Sequence, residues 1–165
     1  MALQPPVNDI EKLGDRPALA ALLTEMPAAV SAARWDRGEL TIYLNRAYLR
    51  PAVTFLRDAP ELRFVFLADV TGVDWYPGEP RFEVVYELLS MARKERLRLK
   101  VRLSGTDAKV ESLTPVWPAA NYFEREVFDL FGIHFEGHPY LHRIMMPDDW
   151  EGHPLRKDYP VEGYR

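Results

Sequence analysis

Strict alternation of apolar and polar residues marks the strands of this chain. Leu97, Leu99, Val101 and Leu103 fall on one side of 96–103, and Arg96, Arg98, Lys100 and Arg102 on the other. That two-residue period predicts a half-buried strand with a basic outer face, read as a solvated sheet surface or edge guard. Over 82–90, Phe82, Val84 and Tyr86 alternate with Glu83, Val85 and Glu87, which predicts a second strand. Leu40, Ile42 and Leu44 set against Thr41 and Tyr43 predict a third over 39–44. Residues 30–35 read as its hairpin partner across Asp36-Arg37-Gly38. The run 64–70 is almost wholly apolar and reads as a strand buried on both faces. It leads into a long turn through Thr71-Gly72 and Asp74-Trp75-Tyr76-Pro77-Gly78.

A longer period marks three helices. Asp15 reads as an N-cap, with Pro17 in the first turn, Ala18, Leu19, Leu22 and Leu23 behind it, and Pro27 ending the helix. Pro51 opens a second helix carrying Val53, Phe55 and Leu56, stopped by Asp58-Ala59-Pro60. The third runs from Pro118 to Gly132. Projected at 3.6 residues per turn, Phe123, Val127, Leu130 and Phe131 form its apolar arc, with Phe128 on the margin. Arg125 and Asp129, four apart, can pair on the polar side, flanked by Glu126 and Tyr122. Residues 1–8 read as a loose lead-in, and 9–13 as one helical turn. The predicted fold class is α+β: a mainly antiparallel sheet with helices packed on it over 1–117, closed by the acidic helix 118–132. An extended C-terminal arm, 133–165, follows.

Bulk properties narrow the function. The chain has 165 residues, 47% hydrophobic and 28% charged, enough for one compact domain with an appendage. A net charge of −4 gives no reason to expect nucleic-acid binding. With no cysteine, this chain offers no disulfide, no thiol nucleophile and no thiolate ligand for zinc or an iron–sulfur cluster. No apolar run is long enough to span a bilayer, and the first residues lack the pattern of a secretory signal, so membrane contact is expected only through a partner. Dinucleotide-binding, phosphate-loop and nucleophile-elbow motifs are missing.

Chemistry concentrates in the last third, which holds all four histidines. Glu124 falls between Phe131 and Phe128 inside the apolar arc, where an unpaired carboxylate is costly. It pairs within its own domain, meets an arginine of another protein, or acts as a general acid or base. After Gly132 the periodicity stops, yet Phe135, Tyr140, Leu141, Ile144, Met145, Met146, Trp150, Leu155 and Tyr159 follow. So much apolar surface on an irregular tail implies burial against a neighbour, with Arg143, Arg156 and Lys157 supplying ion pairs. His134, His138 and His142 have the spacing of metal ligands on a helix, but Gly137 and Pro139 argue against a helix there. The alternative is that His138 and His153, each before proline, bond backbone groups and shape turns.

Several motifs together carry a family resemblance. They are Glu124-Arg125-Glu126, Asp129, Phe131-Gly132-Ile133, Phe135-Glu136-Gly137-His138-Pro139 and the run Gly152-His153-Pro154-Leu155-Arg156-Lys157-Asp158-Tyr159-Pro160. Upstream, Asp69-Val70-Thr71-Gly72-Val73-Asp74 and Phe82-Glu83-Val84-Val85-Tyr86 join them. From about Leu40 to Pro160 the chain resembles the C subunit of respiratory complex I, the proton-pumping NADH:quinone oxidoreductase. The resemblance implies a non-catalytic member of the peripheral arm on the cytoplasmic side of the inner (plasma) membrane. It would pack against the D subunit, which helps form the quinone site, and against other peripheral-arm subunits. The resemblance implies no cofactor here, with FMN and iron–sulfur clusters on other subunits. Partner contacts are expected at Glu124, Arg125, Glu126, Asp129, His138, Arg143, His153, Arg156, Lys157 and Asp158. The family often carries arginine where His142 stands. An equivalent scaffold in a related membrane-bound hydrogenase or ferredoxin:quinone reductase is the alternative. A free-standing metal-dependent enzyme using the histidines and Glu124 is the third reading.

Overall fold

The computed structural model describes residues 6–163. Residues 1–5 of the expected lead-in lie outside the described residues, and Val7 forms an antiparallel bridge with Trp35. Three α-helices and seven strands follow: α1 (Pro17–Glu25), β1 (Val30–Asp36), β2 (Glu39–Leu44), α2 (Leu49–Asp58), β3 (Phe66–Asp74), β4 (Phe82–Ser90), β5 (Glu95–Leu103), β6 (Lys109–Glu111), α3 (Ala120–Phe131) and β7 (His134–Glu136). Five strands make a sheet in the order β1-β2-β5-β4-β3, and β6 and β7 make a second, small parallel pair.

The strands with clean alternation form where the pattern puts them. β1 and β2 pair antiparallel, with Trp35 opposite Leu40 and Asp36 opposite Glu39. Arg37 and Gly38 between them both have positive φ, 52° and 86°, the twist that a two-residue hairpin loop demands. Four residues, 91–94, link the neighbouring strands β4 and β5, too few for any but an antiparallel return. β2 and β5 pair in parallel, with Ile42 beside Leu99.

Two expectations change. α1 begins after Arg16, not Asp15, and no side chain caps it. β3 starts at Phe66 and continues to Asp74 through the stretch expected to turn. It is an edge strand, and Val65 and Phe66 are exposed. An apolar run alone cannot tell a central strand from an edge whose outer side awaits another surface.

Contacts divide the chain into two units, a division absent from the sequence pattern. The first comprises 1–68 and 86–101. Its core is built from Leu19 and Leu22 of α1, Ile42 of β2, Val53 and Leu56 of α2, and Tyr86, Leu97 and Leu99 of the sheet. The second comprises 69–85 and 102–165. Phe82, Val84, Val110, Leu113, Val127, Phe131, Ile133 and Phe135 are buried in it. All residues treated next belong to this second unit.

Candidate functional site

α3 ends at Gly132, whose φ of 71° places it in the left-handed region. A helix stopped this way leaves its last carbonyls without intrahelical donors. Here the segment after β7 returns to supply them. His153 Nδ1 donates to Asp129 O at 2.8 Å, and Leu155 N to Leu130 O at 3.0 Å. Arg156 Nε donates to Phe131 O at 2.6 Å. Arg156, a cation at the helix C-terminus, also opposes the negative end of the helix dipole. A Cβ at Gly132 would collide with Arg156 and His153 as well as strain the backbone. Gly132→Ala is therefore expected to lower the melting temperature and to increase amide exchange over 153–157. Unchanged exchange there would separate the helix end from the returning segment.

The same segment covers a second face of α3. Asp129 is fully buried and lies opposite Arg143, Oδ1 to Nη1 at 2.6 Å. Its other oxygen accepts the amides of Ile144, Met145 and Met146 at 3.0, 2.8 and 2.8 Å. Burial acts to raise the Asp129 pKa, but these donors and Arg143 outweigh it and hold the carboxyl below its usual range. Arg143 also donates to Trp150 O and Gly152 O, closing the loop between them. The expected Arg125–Asp129 pair does not form. Arg125 instead donates to His142 O and Arg143 O. A helical projection assumes one covering surface, and α3 has two.

Glu124 is the other fully buried acid of α3. Its partners lie within the chain: Leu113 N donates to Oε1 and Ser112 Oγ to Oε2, each at 2.6 Å. Burial pushes its pKa up to about 7 against the pull of both donors. His138 Nε2 lies 4.0 Å from Oε2, both side chains being fully buried. Tyr140 N donates to His138 Nδ1, so the ring proton sits on Nε2 and is given to Asn121 O. An Nδ1 that accepts an amide carries no proton, so this imidazole is neutral, and burial and the Arg125 charge lower its pKa in the same sense.

A third cluster fixes the end of the segment. Arg81 bonds both oxygens of Asp74 and both of Asp158, and Lys157 N donates to Asp74 Oδ2. Against the effect of burial, Arg81 and the Lys157 and Tyr76 amides hold the Asp74 pKa down to about 2. A carboxyl lowered this way stabilises the fold at neutral pH and ceases to do so as pH falls through its folded value. From the 3.8 of a free aspartate down to about 2, the loss is about 2 kcal/mol. The expected outcome is acid-induced exposure of the amides around Lys157, absent above about pH 4 and already present at neutral pH in Arg81→Ala. Sequence reasoning did not single out Asp74 or Arg81 as site residues, although Asp74 closed a motif.

The residues expected to contact a partner are thus mostly engaged at home. Glu124, Arg125, Asp129, His138, Arg143, His153, Arg156 and Asp158 all make side-chain contacts within the chain, Lys157 does so through its amide, and Glu126 is exposed. The tail does not stand away from its own surface. His134 and His142 pack against Phe128 and Tyr140. Among the described residues no group of three or more His, Asp or Glu is disposed to hold a metal ion. No helix among them is long and apolar enough to cross a membrane. The segment turns several apolar side chains outward, Tyr140, Ile144, Met145, Trp150 and Leu155, beside Tyr122 of α3 and exposed charges at Asp148, Asp149, Glu151 and Lys157.

Comparison with known proteins completes the site. Residues 42–165 match the family described as "Respiratory-chain NADH dehydrogenase, 30 Kd subunit". The chain is 52% identical over 143 residues to the C subunit of NADH-quinone oxidoreductase from Roseiflexus castenholzii, covering 87% of this chain and 82% of that one. It is 44% identical over 160 residues to the protein of that name from Caulobacter sp., covering 97% and 72%. Among solved structures it is similar to Nqo5 of the trypsin-resistant fragment (1-134), with 37% identity and a TM-score of 0.58, covering 63% of this chain and 83% of that one. It is also similar to a chain of the membrane-bound sulfane sulfur reductase, an archaeal respiratory membrane complex, with 26% identity and a TM-score of 0.72, covering 87% and 84%.

Proposed function

We propose a bracing role for this chain, which belongs to the family of the respiratory-chain NADH dehydrogenase 30 kDa subunit. As a member it is a subunit of NADH-quinone oxidoreductase, a multisubunit, membrane-associated respiratory complex. In the proposed role, residues 133–163 clasp the D subunit, at the quinone site, on the cytoplasmic side of the membrane, and the chain performs no redox step. FMN and the iron–sulfur clusters lie on other subunits in this reading.

One observation carries it. The returning segment has Arg143, Arg156 and Asp158 bonded inside the chain while Tyr140, Met145, Trp150 and Leu155 face outward. A surface held in place by internal bonds, with exposed apolar side chains among charged ones, is preorganised for another protein. The clasp is therefore a folded surface, not the loose arm expected from the sequence.

Limited trypsin digestion tests this. Cleavage after Arg143, Arg156 and Lys157 should slow when the D subunit is present. Equal rates with and without it would remove the proposal. A second reading, a scaffold of a related complex with another electron donor, draws on the likeness to the sulfane sulfur reductase chain. The purified complex should oxidise NADH; oxidation of ferredoxin in its place would favour the second reading.

A further inference from the structure

We propose that a basic cleft on the first unit receives a carboxylate-bearing segment of a neighbouring subunit. The cleft has a volume of about 530 Å³ and is bordered by Arg16, Trp35, Arg93, Lys94 and Arg96. Its two acids, Glu39 and Glu95, are already paired. Glu95 bonds Arg93 at 2.8 Å, and Glu39 bonds Arg98 at 2.8 Å. Arg16, Lys94 and Arg96 have no such close partner.

The basic face of β5 makes the contrast clear. Arg98 is shared by Glu39 and Glu87, Arg102 approaches Glu83, and Lys100 lies over the Tyr43 ring. Each of these is matched within the sheet, as a solvated face requires. Among the described residues no carboxylate pairs with Arg96 or Lys94. Lys94 is moreover presented at the tip of the β4–β5 turn, with a φ of 54°.

Arg16 adds a preorganised element. Its guanidinium lies 3.8 Å above the Trp35 ring, so one face is covered and its plane is fixed. Its Nε is buried and has no hydrogen-bond partner. Asp15 approaches it only to 3.8 Å. A partner meets the accessible part of this side chain, which is 38% exposed, and a planar guanidinium held in one plane fits a carboxylate best. Three incompletely matched cations around one cleft favour an acidic segment over an apolar one. This reading makes no use of residues 133–163, so it stands or falls separately from the clasp.

Two measurements on the intact complex test it. Acetylation of Lys94 by an N-hydroxysuccinimide ester should occur in the full chain alone and be lost in the complex. Carbodiimide treatment of the complex should join Lys94 Nζ to an aspartate or glutamate of another subunit, with a yield that falls as salt is raised. Arg96→Glu should reduce that yield. Equal acetylation of Lys94 in the chain and the complex would overturn the proposal. So would protection of Lys94 in the isolated chain by phosphatidylglycerol vesicles with no inter-subunit crosslink in the complex, which would assign the cleft to lipid headgroups.

Discussion

Replacing Asp129 by alanine is expected to destabilise the isolated chain by about 3–5 kcal/mol, the loss that follows removal of one half of a buried charge pair. Asp129 is fully buried, and Arg143, its partner at 2.6 Å, is partly buried. Without the carboxylate, Arg143 keeps only carbonyl acceptors, and the amides of Ile144, Met145 and Met146 lose theirs. Each donor left unmet adds about 1–3 kcal/mol unless water reaches it. Water will reach some of them, because Ile144 and Met145 are exposed, so the lower end of the combined range is expected. For a chain of 165 residues the melting temperature should fall by on the order of 10 °C. Asp129→Asn, which retains an acceptor but no charge, should fall between. A melting temperature within about 2 °C of the parent would show that the 143–146 loop contributes little to the fold.

That expectation reshapes how a clasp would work. The segment is already folded against α3 in the chain by itself, with apolar side chains in place, so a clasp would not have to fold upon meeting a partner. Asp129→Ala should then impair assembly through loss of order in the segment, with no direct contact removed. The same holds for Gly132→Ala at the helix end. Substitutions on the outer surface, at Met145 or Leu155, should do the reverse and weaken assembly at unchanged stability. The two kinds of variant separate the scaffold of the surface from the surface itself.

How far the chain could be read in advance follows from the range of the forces involved. The β1–β2 hairpin, β4 and β5 were visible because alternation and turn chemistry are local. The end of α3 was visible because Gly132 sits just past the last apolar position. β6 and β7 were not, since three-residue strands that pair across an intervening helix leave no periodic trace. Glu124 was recognised as out of place, but its donors are a serine hydroxyl and a backbone amide, 12 and 11 residues upstream. Backbone amides carry no residue-type signal. The cap on α3 did leave one: orphan carbonyls behind a terminal glycine, followed by His153 and Arg156. Both side chains have their nearest acceptors in the chain itself, which a reading of them as partner contacts leaves out.

The Glu124 carboxyl should impose a pH dependence opposite to that of the surrounding groups. Its pKa rises from 4.5 to about 7 on folding because burial disfavours the charged form. The folded state therefore holds its proton more tightly than the unfolded state. Stability from this group is complete below about pH 4.5, declines as pH rises, and levels off above about pH 7, with a total change of about 3 kcal/mol. His138 and His153, both lowered from 6.5 chiefly by burial, act the other way and destabilise the fold as pH falls below that value. The groups facing Glu124 are Ser112, the Leu113 amide and neutral His138; the charge of Arg125 acts on His138. Glu124→Gln keeps the shape, removes the titration and leaves the histidine slopes intact. Denaturant unfolding of parent and variant from about pH 4.5 to 8 should show the parent losing about 3 kcal/mol relative to the variant across that range. Parallel curves would mean that Glu124 is ionised in the folded chain at every pH tested, which would require a cation at its side in place of the hydroxyl and amide seen there.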